Sequence, residues 1–380
     1  MDALVTIVGA GLAGGWLAHE LVARGRRVRL LERGSDVAAG ASGNAAGIIK
    51  PVVSRQPSRP EAFYRAAFAH LRDRLADPRL SGACGLQRSG ALQLVRKPFP
   101  HRPGAESIDA QEASRRAGLP LPAPALSFDE GAWLNPSALC HALIEPLRYE
   151  PLGCESPGGE PPGRDRSGFE LVLGATLVGI APLAPGVSGW TLTLDDGSTR
   201  HTDQVVLANG PAAAALPACA HLPITAARGQ MDRFARGDLP LPRTVVTGRS
   251  WLIPDGDALW AGATYTREDA HDGLRAADTA HNRAALEALA GGRAGTALGG
   301  CAGVRATMPD RLPCVGPIVN PGAEPPRDAG LSVLTGLGSR GIVTSAFCAR
   351  LLADYLCGDA SGLGAWHDLL DPQRFVKGTH

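Results

Sequence analysis

Three glycines near the start of the chain are spaced for phosphate chemistry. Gly9, Gly11 and Gly14 form the pattern G-x-G-x-x-G. That spacing lets a backbone turn tightly at Gly9, approach a pyrophosphate at Gly11, and pack helix against strand at Gly14. Leu12 and Ala13 would open a helix there, whose free N–H groups and positive dipole face the phosphates. Glu32, followed by Arg33, is placed to accept hydrogen bonds from the ribose hydroxyls of an adenosine. An acid at that point favours NAD or FAD over a 2′-phosphorylated nucleotide. A second small-residue loop then follows, with Ala41, Ser42, Gly43, Asn44 and Gly47. Such a loop lets backbone amides approach another part of a cofactor, which favours FAD. The competing readings are a glycine-rich turn without a ligand and an ordinary flexible loop.

The elements needed to position these residues are legible nearby. Ala3 to Val8 is an apolar run of strand type, Leu12 to Ala23 has helical apolar spacing, Gly25 ends that helix, and Val28 to Leu31 reads as a second strand. Further on, Gln87 to Val95 alternates apolar and polar residues. Gly189 to Leu194, Asp195-Asp196-Gly197 and Thr202 to Ala208 predict a hairpin that returns into a buried strand. Met231 to Phe234, Thr244 to Thr247 and Ser250 to Pro254 predict a sheet-rich region. Leu331 to Thr335 predicts a late strand and Thr344 to Leu356 an amphipathic helix. Glu155 to Gly168 and Asn320 to Gly330, with Gly291 to Gly300 as a weaker case, read as loops.

Composition narrows the function classes. The chain has 380 residues with 38 Lys+Arg against 37 Asp+Glu, so no global charge draws it to phosphate polymers. The length suggests two domains or one large one at about 100–200 residues each. The cations are almost all arginine; lysine occurs only at Lys50, Lys97 and Lys377. The eight cysteines never form a C-x-x-C pair, and the ten histidines show no metal-ligand spacing, so no metal is expected. No apolar run reaches the roughly 18 residues of a membrane span. No membrane partner is therefore expected, and because the cysteines do not resemble a secreted disulfide framework, a reducing cytoplasm is the expected compartment. Neither a nucleophile elbow nor a Walker-type loop is present.

With the second loop included, the N-terminal pattern resembles the D-amino acid oxidase-like flavoprotein superfamily. Further segments resemble it in the expected order. They are Gly131 to Pro136 ahead of an apolar helix, Val205 to Gly210, Gly303-Val304-Arg305 with Asp310 and Pro313, and Gly336 to Gly341. Gly40 to Asn44, Arg228-Gly229-Gln230, Gly262 to Tyr265, Gly303 to Arg305 and the run GLGSRG together are similar to one branch. That branch is the FAD-dependent oxidoreductase domain of bifunctional tRNA 5-methylaminomethyl-2-thiouridine biosynthesis enzymes. The resemblance spans nearly all of residues 3 to 378. It departs from the pattern at Lys50, where the family has an aromatic residue. It also lacks the family's N-terminal methyltransferase domain, so a free-standing oxidoreductase working with a separate tRNA methyltransferase is expected.

The resemblance implies FAD as cofactor. Its binding residues would be those named above together with Ala208, Asn209, Gly210, Arg305, Gly336, Gly338, Ser339, Arg340, Gly341 and Ile342. It implies oxidation of the carboxymethylaminomethyl arm of a tRNA wobble uridine, which is in effect an N-substituted glycine. The products would be the aminomethyl nucleoside and glyoxylate. Arg305 would hold the carboxylate through two parallel N–H···O bonds, the alternative being a structural ion pair with an acidic neighbour. Arg340 would line the site or stack near the flavin edge. Tyr265 would cap the substrate pocket or be a half-buried strand tyrosine.

The expected fold is α/β, a Rossmann-like FAD-binding domain (residues 1–85, 136–220 and 303–380) interleaved with a sheet-rich substrate domain (86–135 and 221–302). Two arginine groups, Arg24 to Arg33 and Arg55 to Arg65, read either as a tRNA track or as a solvated face. A small-molecule oxidase of glycine, sarcosine or a D-amino acid would use the same arginine. A non-catalytic FAD- or RNA-binding protein would need no such arginine.

Overall fold

The strand Leu4–Val8 opens a parallel sheet, and its apolar residues Val5, Ile7 and Val8 are buried. A computed structural model describes residues 3–97, 99–148, 168–183, 187–318, 330–359 and 363–375. The predicted loops at Glu155 to Gly168 and Asn320 to Gly330 fall almost wholly outside these residues. The described chain divides into two compact units. One comprises Met1–Ser42, Leu139–Thr225 and Ala306–His380, the other Gly43–Ala138 and Ala226–Arg305.

In the first unit, six described strands form a sheet in the order Cys314–Pro317, Leu331–Thr335, Gln204–Leu207, Leu4–Val8, Arg27–Leu31, Phe169–Val172. All neighbours run parallel except the Cys314–Pro317 edge. Strands covered on both faces read as apolar runs rather than alternating ones. Leu331–Thr335, buried at every residue, follows that rule. The helix Leu12–Ala23 packs against the helix Gly341–Leu356. Both are buried over most of their surface, so the expected one-sided amphipathic pattern gives way to a more fully enclosed one. His19 is correspondingly half-buried, with its ring edge-on to Trp16 at 6.2 Å between centroids. The predicted hairpin is present as Trp190–Leu194 paired with Thr199–Thr202, and Leu177–Pro182 completes a three-stranded antiparallel sheet.

The second unit is built on a large sheet. From Thr266–Arg267 its order runs through Thr225–Ala235, Ala258–Gly262, Trp251–Asp255, Val245–Thr247, Ala91–Leu94 and Ala125–Phe128 to Glu106–Ile108. Ala297–Thr307 also pairs with Thr225–Ala235. That last strand takes in Ala297 to Gly300, part of a stretch expected to be a loop. One apolar core of this unit gathers Leu92, Phe234, Val246, Leu252, Leu259 and Leu286.

Residues 43–85, expected with the 1–42 segment, group with the second unit. Their partners explain why. Gly47–Ile49 pairs with Ala132–Leu134. On the helix Arg59–Arg74, the buried Glu61 accepts from Arg102 at 2.6 Å, and Arg72 pairs with Glu130 at 2.6 Å. Arg88 donates to the Leu75 carbonyl at 3.2 Å. Every one of these ties is made to residues in the sheet-rich stretch.

Candidate active site

The turn after Leu4–Val8 is held by backbone geometry. Gly9 has φ 105°, in the left-handed region that a side chain disfavours, and its N–H donates to the Leu31 carbonyl at 2.7 Å. A methyl on Gly14 would overlap the Gly9 carbonyl oxygen and stand 3.1 Å from its carbon, so only glycine allows this helix to leave the strand so closely. Leu12 N–H donates to Ser42 Oγ at 3.0 Å, which ties the second small-residue loop to the start of the helix. Beside Ser42 lies Cys140, whose thiol is pushed far up by burial and is no nucleophile at neutral pH.

Glu32 is buried, and its two carboxylate oxygens are oriented separately. Oε2 accepts from Ala10 N–H at 2.8 Å and Oε1 from Gly34 N–H at 3.0 Å. A carboxylate offers about four acceptor sites, so each oxygen retains one for a ribose hydroxyl. At the end of Gln204–Leu207, Ala208 N–H donates to the Val8 carbonyl at 2.9 Å, which sets Asn209 beside the glycine turn. The buried Asn209 Oδ1 has no hydrogen-bond partner among the described residues. Buried acceptors are seldom left unpaired, so this atom fits a donor that a ligand brings. Oriented acceptors, a helix N-terminus and a turn open to a pyrophosphate suit a dinucleotide such as FAD.

The late glycine turn lies in the same unit. Thr335 Oγ1 donates to the Gly210 carbonyl at 3.1 Å, which brings the Gly336 to Gly341 turn to the end of the Gln204–Leu207 strand. Gly338–Arg340 forms a short 3-10 turn that leads directly into the helix Gly341–Leu356, with Ile342 half-buried on its first turn. Ser339 and Arg340 are exposed, as is Arg33. Gly43, Asn44 and Gly47 belong to the second unit.

Arg305 and Tyr265 also lie in the second unit. Arg305 stands on the strand Ala297–Thr307 and is half-buried. Among the described residues no carboxylate pairs with it and no group accepts a hydrogen bond from its side chain, so the expected alternative of a structural ion pair finds no partner. Burial holds its pKa below the usual arginine value and outweighs the opposing influence of the Tyr265 hydroxyl. Tyr265 itself is 49% exposed, not a half-buried strand residue. Lys50 is engaged locally, donating to Gln93 Oε1 at 2.7 Å with its ammonium 4.4 Å from the centre of the Phe128 ring. The arginines of the first cluster are largely committed to protein partners. Arg24 pairs with Glu20 and Asp354, Arg29 with Glu170, and Arg26 donates to Gln204 and to the Leu356 carbonyl. In the second cluster Arg55 lies over the Phe99 ring at 4.9 Å and Arg65 donates to the Pro103 carbonyl at 2.7 Å.

The sequence showed Arg228 and Gln230 only as part of a family-like motif; Asp232, and the bracing of Arg305's surroundings by all three, were missed. Arg228, Gln230 and Asp232 are all buried and bonded to one another or to shared partners. Their signal was a run of polar residues at every second position of a strand, which is unusual for a buried face. Among the described residues, no helix is long and apolar enough to cross a membrane, and no group of three or more His, Cys, Asp and Glu could hold a metal ion.

Comparison with known proteins agrees with this geometry. The family model described as FAD dependent oxidoreductase matches residues 5–355. The bifunctional protein MnmC of tRNA 5-methylaminomethyl-2-thiouridine biosynthesis from Aromatoleum aromaticum is 33% identical over 97% of this chain and 59% of its own length. That of Azoarcus sp. (strain BH72) is 33% identical with the same two coverages. The chain thus spans about three fifths of the curated relatives it matches. Glycine oxidase from Geobacillus kaustophilus superposes with a TM-score of 0.71 at 21% identity, covering 93% of this chain and 95% of that one. Iminodiacetate oxidase from Chelativorans sp. BNC1 gives 0.70 at 22%, with the same coverages. At those identities the likeness concerns the fold. The match over most of the chain, on a fold that presents the dinucleotide features described above, places this protein in the FAD dependent oxidoreductase family.

Proposed function

We propose that the protein oxidises the carboxymethylaminomethyl arm of a wobble uridine in tRNA and releases glyoxylate. The observation that carries the reading is Arg305, a half-buried guanidinium with no carboxylate partner among the described residues. A planar two-armed cation that is unpaired among the described residues is suited to a carboxylate brought by a substrate. The identity to proteins named for 5-methylaminomethyl-2-thiouridine biosynthesis supports the nucleoside as its carrier.

FAD, when bound, supplies a two-electron acceptor for a hydride. The chain's own residues have simpler tasks. Arg305 holds the carboxylate and so fixes the adjacent methylene. Glu32, Asn209 and the N-terminus of Leu12–Ala23 hold the dinucleotide. The methylene loses a hydride and the amine a proton, leaving a C=N bond between the nitrogen and the former methylene carbon. Water adds to that carbon, and the C–N bond breaks to give the aminomethyl nucleoside and glyoxylate. The primary amine then suits a methyltransferase, the catalyst we place next, because the named 5-methylaminomethyl product carries one further methyl.

The test is a digest of carboxymethylaminomethyl-tRNA incubated with the FAD-loaded enzyme. Mass spectrometry of the nucleosides should show the aminomethyl form, with glyoxylate in equal amount. Unchanged nucleosides, with glyoxylate formed from free glycine instead, would overturn the RNA assignment and leave a small-amine oxidase.

A further inference from the structure

The strand Thr225–Ala235 presents successive residues to opposite sides. On one side Arg228, Gln230 and Asp232 are tied to the helix Ala276–Ala290 and the residues just before it. Arg228 pairs with Asp278 and donates to the Gly273 carbonyl at 2.5 Å and to Gln230 Oε1 at 2.9 Å. Gln230 Nε2 donates to Thr279 Oγ1 at 2.9 Å, and Asn282 Nδ2 donates to Asp232 Oδ2 at 2.7 Å and to the Gln230 carbonyl at 3.0 Å. The strand is therefore held on both flanks of Gly229.

On the other side, Arg305 lies over Gly229. A methyl added at Gly229 would stand 2.6 Å from Arg305 Nη2 and 2.8 Å from its Cζ, and all three of its nearest neighbours are atoms of that guanidinium. Which partner yields depends on what holds it. The strand is braced by the buried network. The Arg305 side chain has no hydrogen bond or ion pair among the described residues. Arg305 is therefore the part that moves, and the sheet stays.

We propose that Gly229 is a positioning residue whose missing side chain forms the slot that seats the Arg305 guanidinium. The network around Arg228 keeps that slot in place. This rests on the reading of Arg305 as the carboxylate site. It predicts that Gly229→Ala folds normally but mislocates the carboxylate anchor.

The test is a double-mutant cycle read by binding, on FAD-loaded protein. Acetate and neutral acetamide are titrated against the flavin absorption spectrum of the wild type, Gly229→Ala, Arg305→Ala and the double variant. Gly229→Ala should weaken acetate by about 10- to 100-fold, the range of a lost charged hydrogen bond, with an unchanged melting temperature. In the Arg305→Ala background it should add nothing, because its effect runs only through the arginine. Acetamide should bind equally to all four. Three results would overturn the proposal: wild-type acetate binding in Gly229→Ala, an equal loss in both backgrounds, or failure of Gly229→Ala to fold. If Arg305→Ala keeps wild-type acetate affinity, or the wild type shows no preference for acetate, the carboxylate reading falls and the proposal with it. Should the cycle behave as expected while tRNA goes unmodified, only the RNA assignment fails.

Discussion

Replacing Arg305 by methionine should separate binding from stability in opposite directions. The side chain is half-buried, pairs with no described carboxylate, and has its pKa held below the ordinary value by burial. A base whose folded pKa is depressed is disfavoured in its charged form by folding. At every working pH the arginine is charged, so that penalty is always present. Deleting the charge while keeping the apolar stem should leave stability unchanged or raise it by up to about 1 kcal/mol. Binding should move the other way. Losing one partner of a desolvated charge pair costs about 2–4 kcal/mol, or about 30- to 1,000-fold in kcat/KM. Arg305→Lys should fall between, because it restores charge without the two-armed geometry. The assays are urea unfolding of each variant and flavin reduction rates across substrate concentration. A loss of more than about 1 kcal/mol in stability with little change in kcat/KM would refute the reasoning and make Arg305 structural.

Further predictions concern the parts that support the site. Glu32→Ala should leave the Ala10 and Gly34 N–H groups without their acceptor, cost about 1–3 kcal/mol, and yield protein largely lacking FAD, measured by absorbance per polypeptide. Asp278→Asn should destabilise the fold by about 3–5 kcal/mol in urea, because it strips the wholly buried Arg228 of its ion pair. The thiols of Cys219 and Cys314 are pushed up by burial to about 11 and about 12. At pH 8 a thiol reagent should therefore leave both unlabelled in the native state. Among the described cysteines it should modify Cys357, the exposed one, first, as mapped by peptide mass spectrometry.

The parts of the fold that were legible in the sequence are local. The first strand, Gly9 to Gly14 and the first helix lie within about two dozen residues, and each signal acts on its immediate neighbours. The helix Leu12–Ala23 and the strand Leu331–Thr335 have the boundaries that periodicity predicts. What was not legible depends on distant partners. The helix Ala276–Ala290 carries many polar residues and a sparse apolar stripe, and the helix Arg59–Arg74 sets its buried Phe63, Tyr64, Ala67, Phe68 and Leu71 among charged residues that mask the pattern. Their positions are set by Arg102, Glu130 and the Arg228 network, which composition does not announce. Residues 43–85 change units for the same reason. At the site, the glycines and Glu32 were visible as a motif, and Arg305 through family resemblance. The slot at Gly229 was not, because it exists only once two strands are side by side.

The most direct test is anaerobic flavin bleaching with a panel of amines. FAD-loaded protein is mixed separately with carboxymethylaminomethyl-tRNA, glycine, sarcosine and D-alanine, and the visible flavin absorption is followed. Our account predicts bleaching by the tRNA, formation of glyoxylate, and loss of that bleaching in Arg305→Met. Bleaching by a free amino acid while the tRNA leaves the flavin oxidised would contradict it.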